Sequence, residues 1–253
     1  MNLFFSRKQR VNQFPKQEIS DYRDLLKDYG VLASSSHLPE ELKHRLVVRY
    51  AYEERAAVAM AICSMPGNGD YFEFGSEGMG TFRNFLTAFD LNGLPQRLPN
   101  THFYAFDIFG ANDDSRHEAE YFKNWKNAAG EDKLRSAWSA TKAHNILPHR
   151  CILKQGYFQD TLDSEFTASY IKEGRRIGTL FLDCNIASSY EFVFNWAAPL
   201  LHKRCFVYMD EFYITDGVQE LFDNFCREVR DRYNARPAFV RNAGAFGALY
   251  LLM

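Results

Sequence analysis

Acidic residues follow two successive apolar segments of this chain, at the points where the segments stop. Asp183 follows the apolar residues 180–182, and Asp210 and Glu211 follow the apolar residues 206–209. If the two segments are neighbouring parallel strands, about 4.8 Å apart, these carboxylates meet at one edge of a sheet. Carboxylates that crowd together raise one another's pKa unless a cation neutralises them. The pattern therefore predicts a site for a hard divalent cation, with helix capping as the alternative role for these acids.

A glycine-rich turn follows an earlier apolar segment. Its order is G-x-x-G-x-G, with Gly75 and Gly80 at its ends. This differs from G-x-G-x-x-G, the order that seats the pyrophosphate of a dinucleotide on a helix N-terminus. Glu73 precedes the turn, where a carboxylate repels phosphate and attracts the ammonium group of a ligand. We therefore expect a phosphate-free nucleoside that carries an amine, with a turn that holds no ligand as the alternative. We also expect Gly75→Val to block this ligand and to leave folding largely intact.

Two other strand ends supply further candidate binding residues. Asp107 closes one apolar segment, at the crevice where open α/β sheets bind ligands, and a carboxylate there can accept hydrogen bonds from both ribose hydroxyls. A helix cap is the alternative role for Asp107. Gly156, Tyr157 and Phe158 follow the next segment, where the two aromatic side chains would wall an adenine ring unless they belong to the core.

Short apolar segments alternate with amphipathic ones through most of the chain. Five of them predict buried strands: residues 70–75, 102–107, 151–155, 179–183 and 205–210. Four amphipathic segments predict helices: residues 81–89, 115–125, 188–201 and 218–233. Strands that alternate with helices form parallel βαβ units, so the sequence predicts a doubly wound α/β sheet.

The C-terminal residues depart from this alternation. The apolar segments 238–240 and 246–252 are separated by only five residues. A connection this short has no room for a crossover helix, so it predicts an antiparallel hairpin. A seven-stranded, mostly parallel sheet that ends in such a hairpin resembles the class I methyltransferase fold, which is Rossmann-like.

Three segments lie outside the predicted sheet. Residues 40–63 carry apolar positions at helical spacing, which predicts a helix that packs on the sheet at the start of a domain spanning residues 40–253. Residues 1–39 are polar and irregular, and predict an N-terminal arm or lid. Residues 109–150 are longer than one crossover requires, and predict a cap over the site.

Composition excludes several classes of protein. Thirty basic residues against 32 acidic ones leave a net charge of −2, without the basic excess that binding to nucleic acid requires. No apolar run reaches the roughly 18 residues that span a membrane. Five cysteines without paired spacing, and an N-terminus whose apolar residues precede its charges, predict free thiols in a cytoplasmic protein. The oligomeric state stays open, and a homo-oligomer is one of its outcomes.

Five strings in this order resemble the macrocin O-methyltransferase family: YFEFGSEGMGTF, HFYAFDIFG, ILKQGYFQDTL, LFLDCNIASSYEFVFNWAAPLL and FVYMDEFY. The resemblance covers roughly residues 70–215. It implies a class I enzyme that uses S-adenosylmethionine (SAM) and methylates hydroxyl groups, often on sugars, with magnesium bound at the active site.

The resemblance also implies roles for individual residues. Glu73 and Gly75 would line the methionine end of the cofactor, and Asp107 would hold its ribose. The metal ligands would be Asp183, Asp210 and Glu211.

The chain departs from the family pattern at three positions. Asn185 and Ala187 stand where the family has a second acid and an aromatic residue, and Gly78 stands where bulkier residues are common. Because Asn185 is neutral, metal binding is weakened more than cofactor binding.

The residues and the resemblance together predict a SAM-dependent O-methyltransferase acting on a hydroxylated small molecule or sugar, with Asp183 as metal ligand or catalytic base. One alternative is an NAD-dependent oxidoreductase, which the glycine order and Glu73 disfavour. Another is a nucleoside-binding protein without turnover.

Overall fold

The computed structural model describes residues 54–65, 67–76, 79–108, 148–243 and 246–253. The predicted arm at 1–39, the first part of the helix predicted at 40–63, the helix predicted at 115–125 and most of the cap predicted at 109–150 lie outside these residues. Within them, residues 54–64 form helix α1, and residues 148–150 form a single 3₁₀ turn.

Seven strands and seven helices are described. The strands are β1 Asp70–Phe74, β2 Phe103–Asp107, β3 Cys151–Gln155, β4 Ile177–Leu182, β5 Leu201–Met209, β6 Pro237–Ala243 and β7 Gly247–Leu252. After α1, the helices are α2 Gly80–Leu91, α3 Leu94–Arg97, α4 Phe158–Thr161, α5 Ser164–Lys172, α6 Ala187–Ala197 and α7 Val218–Tyr233.

The strands form one sheet in the order β3-β2-β1-β4-β5-β7-β6. The first five strands are parallel to one another, and β7 runs antiparallel to both β5 and β6. The predicted doubly wound sheet and its C-terminal antiparallel hairpin are therefore both confirmed. Because β1 and β4 are neighbours although they are not consecutive in the chain, the order of strands reverses at β1, which opens a crevice at the carboxyl ends of the central strands.

Two apolar clusters cover the two faces of the sheet. One cluster includes Val58 and Ile62 of α1 and Phe85 of α2. The other includes Phe194 of α6 and Phe225 of α7. Helices on both faces bury the central strands on both sides, and all five residues of β1 and all six of β4 are buried.

Several elements differ from the sequence expectation. Helices α3 and α4 were not predicted, because four residues are too few to show a helical period. Strand β6 continues to Ala243, three residues beyond the predicted segment 238–240. Helix α5 was not predicted, because Tyr170 is its one buried residue and its apolar face is short. Helix α6 ends at Ala197, and a 3₁₀ turn that contains Pro199 follows, since proline lacks the N–H that a continuing helix needs. Strand β5 begins at Leu201, four residues before the predicted start, where exposed lysine and arginine side chains hide the strand pattern.

Two further findings concern membrane-spanning helices and cysteines in the described ranges. No helix in them is long and apolar enough to cross a membrane. All five cysteines lie in these ranges and are free thiols, four of them buried, as their unpaired spacing predicts.

We predict that Phe72→Ala costs about 3–5 kcal/mol of unfolding free energy, because it removes a ring from a closed aromatic core. Phe72 is 0% exposed, and its ring stacks on Tyr104 with centroids 4.4 Å apart. Urea denaturation measures the loss. The control is Phe239→Ala on edge strand β6, where the ring is 43% exposed and we expect about 1 kcal/mol or less. Equal losses in the two variants would contradict the assignment of Phe72 to the core.

Candidate functional site

The acids predicted at strand ends lie at one edge of the sheet. The N–H of Asp183 donates to the carbonyl of Phe74 over 2.9 Å, and the N–H of Asp210 donates to the carbonyl of Leu182 over 2.8 Å. These bonds continue the ladder one residue beyond the strands. Asp183 and Asp210 therefore leave the sheet side by side, at the mouth of the crevice.

Gly75 lies against the backbone of Asp183, the residue that follows β4. Its φ is +88°, and a Cβ built on it would lie 1.8 Å from the carbonyl oxygen of Asp183. No side chain fits there, because van der Waals contact with this oxygen requires more than 3 Å. The expectation that Gly75→Val would leave folding largely intact is therefore wrong. Gly75 permits the loops after β1 and β4 to touch, whatever ligand lies above them.

The turn after Gly75 leads into an uncapped helix. The N–H of Met79 donates to the carbonyl of Ser76 over 2.6 Å, and Met79 is held at φ +60°, an unusual conformation for a residue with a side chain. Helix α2 begins at Gly80 after Met79, which supplies no side-chain cap, and no acid lies in the first turn of the helix. The amides of that turn and the helix dipole therefore make this end of the crevice attractive to an anionic group.

Glu73 is buried just below the turn. The side chain is 1% exposed, and Tyr71 donates a hydrogen bond to its Oε2. Burial raises the pKa of Glu73 to about 8, which the hydrogen bond from Tyr71 opposes and the charge of Asp183 reinforces. The Ser76 hydroxyl also opposes the rise in pKa, but neither Ser76 Oγ nor Glu73 Oε1 makes a hydrogen bond of good geometry to a described residue. Two buried oxygens thus face the turn with unused hydrogen-bonding capacity.

The next two strand ends bring Asp107 beside Gly156. Asp107 ends β2 and is half-buried, and its carbonyl accepts a hydrogen bond from the N–H of Gly156 over 3.0 Å. Tyr157 is half-buried and precedes α4. Phe158 packs edge-on against Phe74, with ring centroids 5.1 Å apart, so its ring contributes to the core. The alternative of a core role therefore applies at least in part to Phe158.

Three carboxylates converge at the ends of β4 and β5. Ligand atoms of Asp183, Asp210 and Glu211 all lie within 4.8 Å of one another. Tyr190 donates a hydrogen bond of 2.7 Å to Glu211 Oε2, and Tyr208 donates one to Asp210 Oδ1. Burial raises the pKa of Glu211 well above its usual range, and the charges of Asp183 and Asp210 raise it further.

A guanidinium group from α1 enters this cluster. Arg55 Nε donates to Asp210 Oδ1 over 2.9 Å, and Nη2 contacts Oδ2 of the same carboxylate. The same Nη2 lies 3.1 Å from Asp183 Oδ2. Burial lowers the pKa of Arg55, but the charges of Asp183 and Asp210 more than offset this effect and raise it overall.

Arg55 is the functional residue that sequence reasoning missed. It is 128 residues from Asp183 in the chain (183 − 55) and belongs to no motif with it. One signal was available, since Arg55 precedes Val58 and Ala59 by three and four residues and so lies on the buried face of α1. A charged residue on an apolar helix face needs a buried partner.

The carboxylates suit a hard cation by type but not by arrangement. At least four of their six oxygens already hold protein partners: both of Asp210, Oδ2 of Asp183 and Oε2 of Glu211. The side chains of Glu211 and Asp183 also share a hydrogen bond. Arg55 supplies positive charge where a metal would lie. Asn185, two residues after Asp183, adds no charge, and its backbone adopts the left-handed conformation with φ +64°. Magnesium does not fit the site in this arrangement.

The strand order and the crevice define the class I methyltransferase fold. Solved structures of two such enzymes share it with a TM-score of 0.56 at 15% sequence identity: the O-methyltransferase NovP and the calicheamicin methyltransferase CalS11. The alignment covers 79% of this chain and 78% of NovP, and 98% of this chain and 98% of CalS11.

A third structure carries a ligand. The O-methyltransferase TomG from Streptomyces achromogenes, involved in tomaymycin synthesis and solved in complex with SAM, aligns with a TM-score of 0.52 at 12% identity. The alignment covers 98% of this chain and 99% of TomG. No family model and no curated protein matches the chain, so the narrower resemblance to macrocin O-methyltransferases stays a prediction.

We predict that Gly75→Ala costs about 3 kcal/mol or more of unfolding free energy, because backbone strain adds to overlap with the Asp183 carbonyl. The matched control is Gly93→Ala, at φ +63° with nothing within 4 Å of the added Cβ. Strain alone should cost the control about 1–2 kcal/mol. Urea denaturation measures both, and a Gly75 variant no less stable than the control would show that the contact is not required.

Proposed function

We propose that this protein is a SAM-dependent O-methyltransferase that methylates a hydroxyl group on a small molecule or a sugar. The observation that carries the proposal is the buried Glu73 carboxyl group, which has an unused oxygen and interacts with Ser76, on the turn that leads into α2. An amino acid carries an ammonium and a carboxylate, and Glu73 and the N-terminus of α2 suit these two groups. SAM ends in such an amino acid.

The remaining cofactor contacts follow from the neighbouring strand ends. Asp107 accepts hydrogen bonds from the ribose hydroxyls, and Gly156 lets the backbone approach the nucleoside beside it. Tyr157 packs against the adenine, while Phe158 supports that wall from the core. Gly75 and Gly80 leave room above the turn for the methionine end.

Charge distinguishes this proposal from the NAD-dependent alternative. SAM carries a positive sulfur and an ammonium group. The acids Glu73, Asp107 and Asp183 lie at or beside the carboxyl ends of β1, β2 and β4, and Glu73 becomes negative when a cationic ligand displaces its proton. A dinucleotide would bring two phosphate charges to the same acids, without the glycine order that seats a pyrophosphate. The acids therefore favour a cationic ligand over a dinucleotide.

The residues at the end of β4 perform the remaining chemistry. When bound, SAM supplies a methyl group on a sulfonium that leaves as a neutral thioether, so the acceptor oxygen gains a methyl group and must lose its proton. Asp183, whose backbone lies against Gly75, accepts this proton. Arg55 and the hydrogen bond of Asp183 to Phe74 hold the carboxylate in place. No step is assigned to magnesium, because Arg55 holds the oxygens that a metal would need.

Calorimetry with S-adenosylhomocysteine (SAH), SAM and NAD tests the ligand class. We expect SAH and SAM to bind and NAD not to bind. Asp107→Ala should weaken SAH binding roughly tenfold to a hundredfold, because the ribose hydroxyls lose a charged acceptor. The control is Asp163→Ala, at the exposed N-cap of α5, which should leave SAH affinity unchanged. Unchanged affinity in Asp107→Ala would remove Asp107 from the site.

Methyl transfer to a panel of hydroxylated acceptors, followed by mass spectrometry, distinguishes an enzyme from a binding protein.

We predict that SAH affinity rises as the pH rises from 6 to 8. The free protein holds Glu73 protonated below its pKa of about 8, and an ammonium group binds only the ionised carboxylate. Binding must therefore release a proton, so affinity rises by up to roughly tenfold per pH unit and levels off above pH 8. Besides Tyr71 and Ser76, the charged groups that influence Glu73 are Asp183 and Arg55.

Glu73→Gln should bind SAH more weakly at pH 8 and should lose this pH dependence. The matched control, Glu165→Gln on the exposed surface of α5, should keep it. Calorimetry at four pH values measures all three proteins. A pH slope that persists in Glu73→Gln would assign the proton to another group.

A further inference from the structure

The contacts of Arg55 form a closed ion-pair cluster inside the protein. Its guanidinium makes a two-point contact with Asp210 and a third contact with Asp183. Its side chain is 16% exposed, and those of the two aspartates are 13% and 15% exposed. Because the three groups share a site with little water, solvent screens the attraction between them weakly.

Arg55 is held in this position by the helix that carries it. Val58 and Ile62 bury one face of α1 on the sheet. The preceding residue, Glu54, forms an ion pair with Arg241 of β6, with Nη2 and Oε2 3.1 Å apart. Two consecutive residues therefore tie the start of the described helix to β6 and to the ends of β4 and β5. The guanidinium belongs to the packing of α1 and is not a freely rotating surface group.

A divalent cation and this guanidinium compete for the same oxygens. A metal ligated by Asp183 and Asp210 needs oxygens that Arg55 holds, and it would lie beside a fixed positive charge. The guanidinium cannot lose its proton at neutral pH, so it cannot yield by becoming neutral. It can yield only if α1 or the side chain moves.

We propose that Arg55 is the resident cation of the carboxylate cluster and stands in place of a divalent metal. The assignment of the cation does not depend on methyl transfer. A second role, in which Arg55 is the positioning residue that fixes Asp183 at the reaction centre, rests on the proposed function. A reaction at this site then proceeds without added metal and is insensitive to chelator.

Titration of the full chain with Mn²⁺, followed by electron paramagnetic resonance, tests the assignment. The native protein should not bind Mn²⁺ at about 1 mM, a concentration at which weak carboxylate sites fill. Arg55→Met removes the charge and keeps most of the side-chain volume. It should gain Mn²⁺ affinity by at least about tenfold, because Asp183 and Asp210 lose the guanidinium that holds their oxygens.

Three further variants identify the source of any gain. Adding Asp183→Asn to Arg55→Met should abolish the new Mn²⁺ binding. Arg55→Lys keeps a positive charge and should stay free of metal. Arg241→Met removes the other arginine that ties α1 to the sheet and should gain nothing, because it does not contact the carboxylates.

Two results would overturn the proposal. One is Mn²⁺ binding by the native protein as tight as that of Arg55→Met. The other is a folded Arg55→Met variant, verified by circular dichroism, that gains no Mn²⁺ affinity. If Arg55→Met does not fold, the titration of the native protein is the deciding test. Mn²⁺ binding by the native protein contradicts the proposal, and lack of Mn²⁺ binding supports it.

The positioning role rests on the proposed function, and its test is designed so that the two can fail separately. SAH binding by the native protein in excess chelator should equal binding without chelator. If SAH binds and methyl transfer is observed, Arg55→Lys should lower kcat more than it raises KM, because the donor and acceptor sites remain. If SAH does not bind at all, the proposed function fails, while the Mn²⁺ titration still decides the cation assignment.

Discussion

The concentration of carboxyl groups at one edge of a buried sheet is the constraint on which the site depends. Parallel strands that end in acids bring Asp183, Asp210 and Glu211 within 4.8 Å, an arrangement that is unfavourable unless positive charge or protons compensate for it. Arg55 supplies the charge, and α1 must lie against the sheet for it to do so. The position of the first described helix is thus coupled to the electrostatics of the last parallel strands.

The two halves of the crevice compensate for negative charge in different ways. Around Asp183 and Asp210 the compensation is permanent, because a guanidinium cannot titrate at neutral pH. At Glu73 it is a proton, held by burial and exchangeable near pH 8. A cationic ligand can replace the proton but not the arginine. The side of the crevice that includes Glu73 is therefore suited to reversible binding of a ligand. The side that includes Arg55 is suited to holding side chains in one fixed arrangement.

Local signals explain how much of this arrangement the sequence predicts. Buried strands appear as short apolar segments that stop at a glycine or an acid, so the five parallel strands were identified. The end of β2 at Asp107 was correct, and β4 ends at Leu182, one residue before the predicted Asp183. Helix α5 was missed because it buries one side chain, and the start of β5 because its first residues are half-exposed or exposed. Arg55 was missed for a different reason. Its partners are distant in the chain, and periodicity locates the face of a helix but not what the face contacts.

The contact between Gly75 and Asp183 has a consequence for how this scaffold can diverge. Two loops whose backbones touch cannot change independently, because any side chain or insertion in one displaces the other, and with it the carboxylate that Arg55 holds. Single substitutions at Gly75 therefore cannot be accommodated at the floor of the crevice. Changes in ligand preference are therefore expected first at residues that do not contact Gly75 or Asp183.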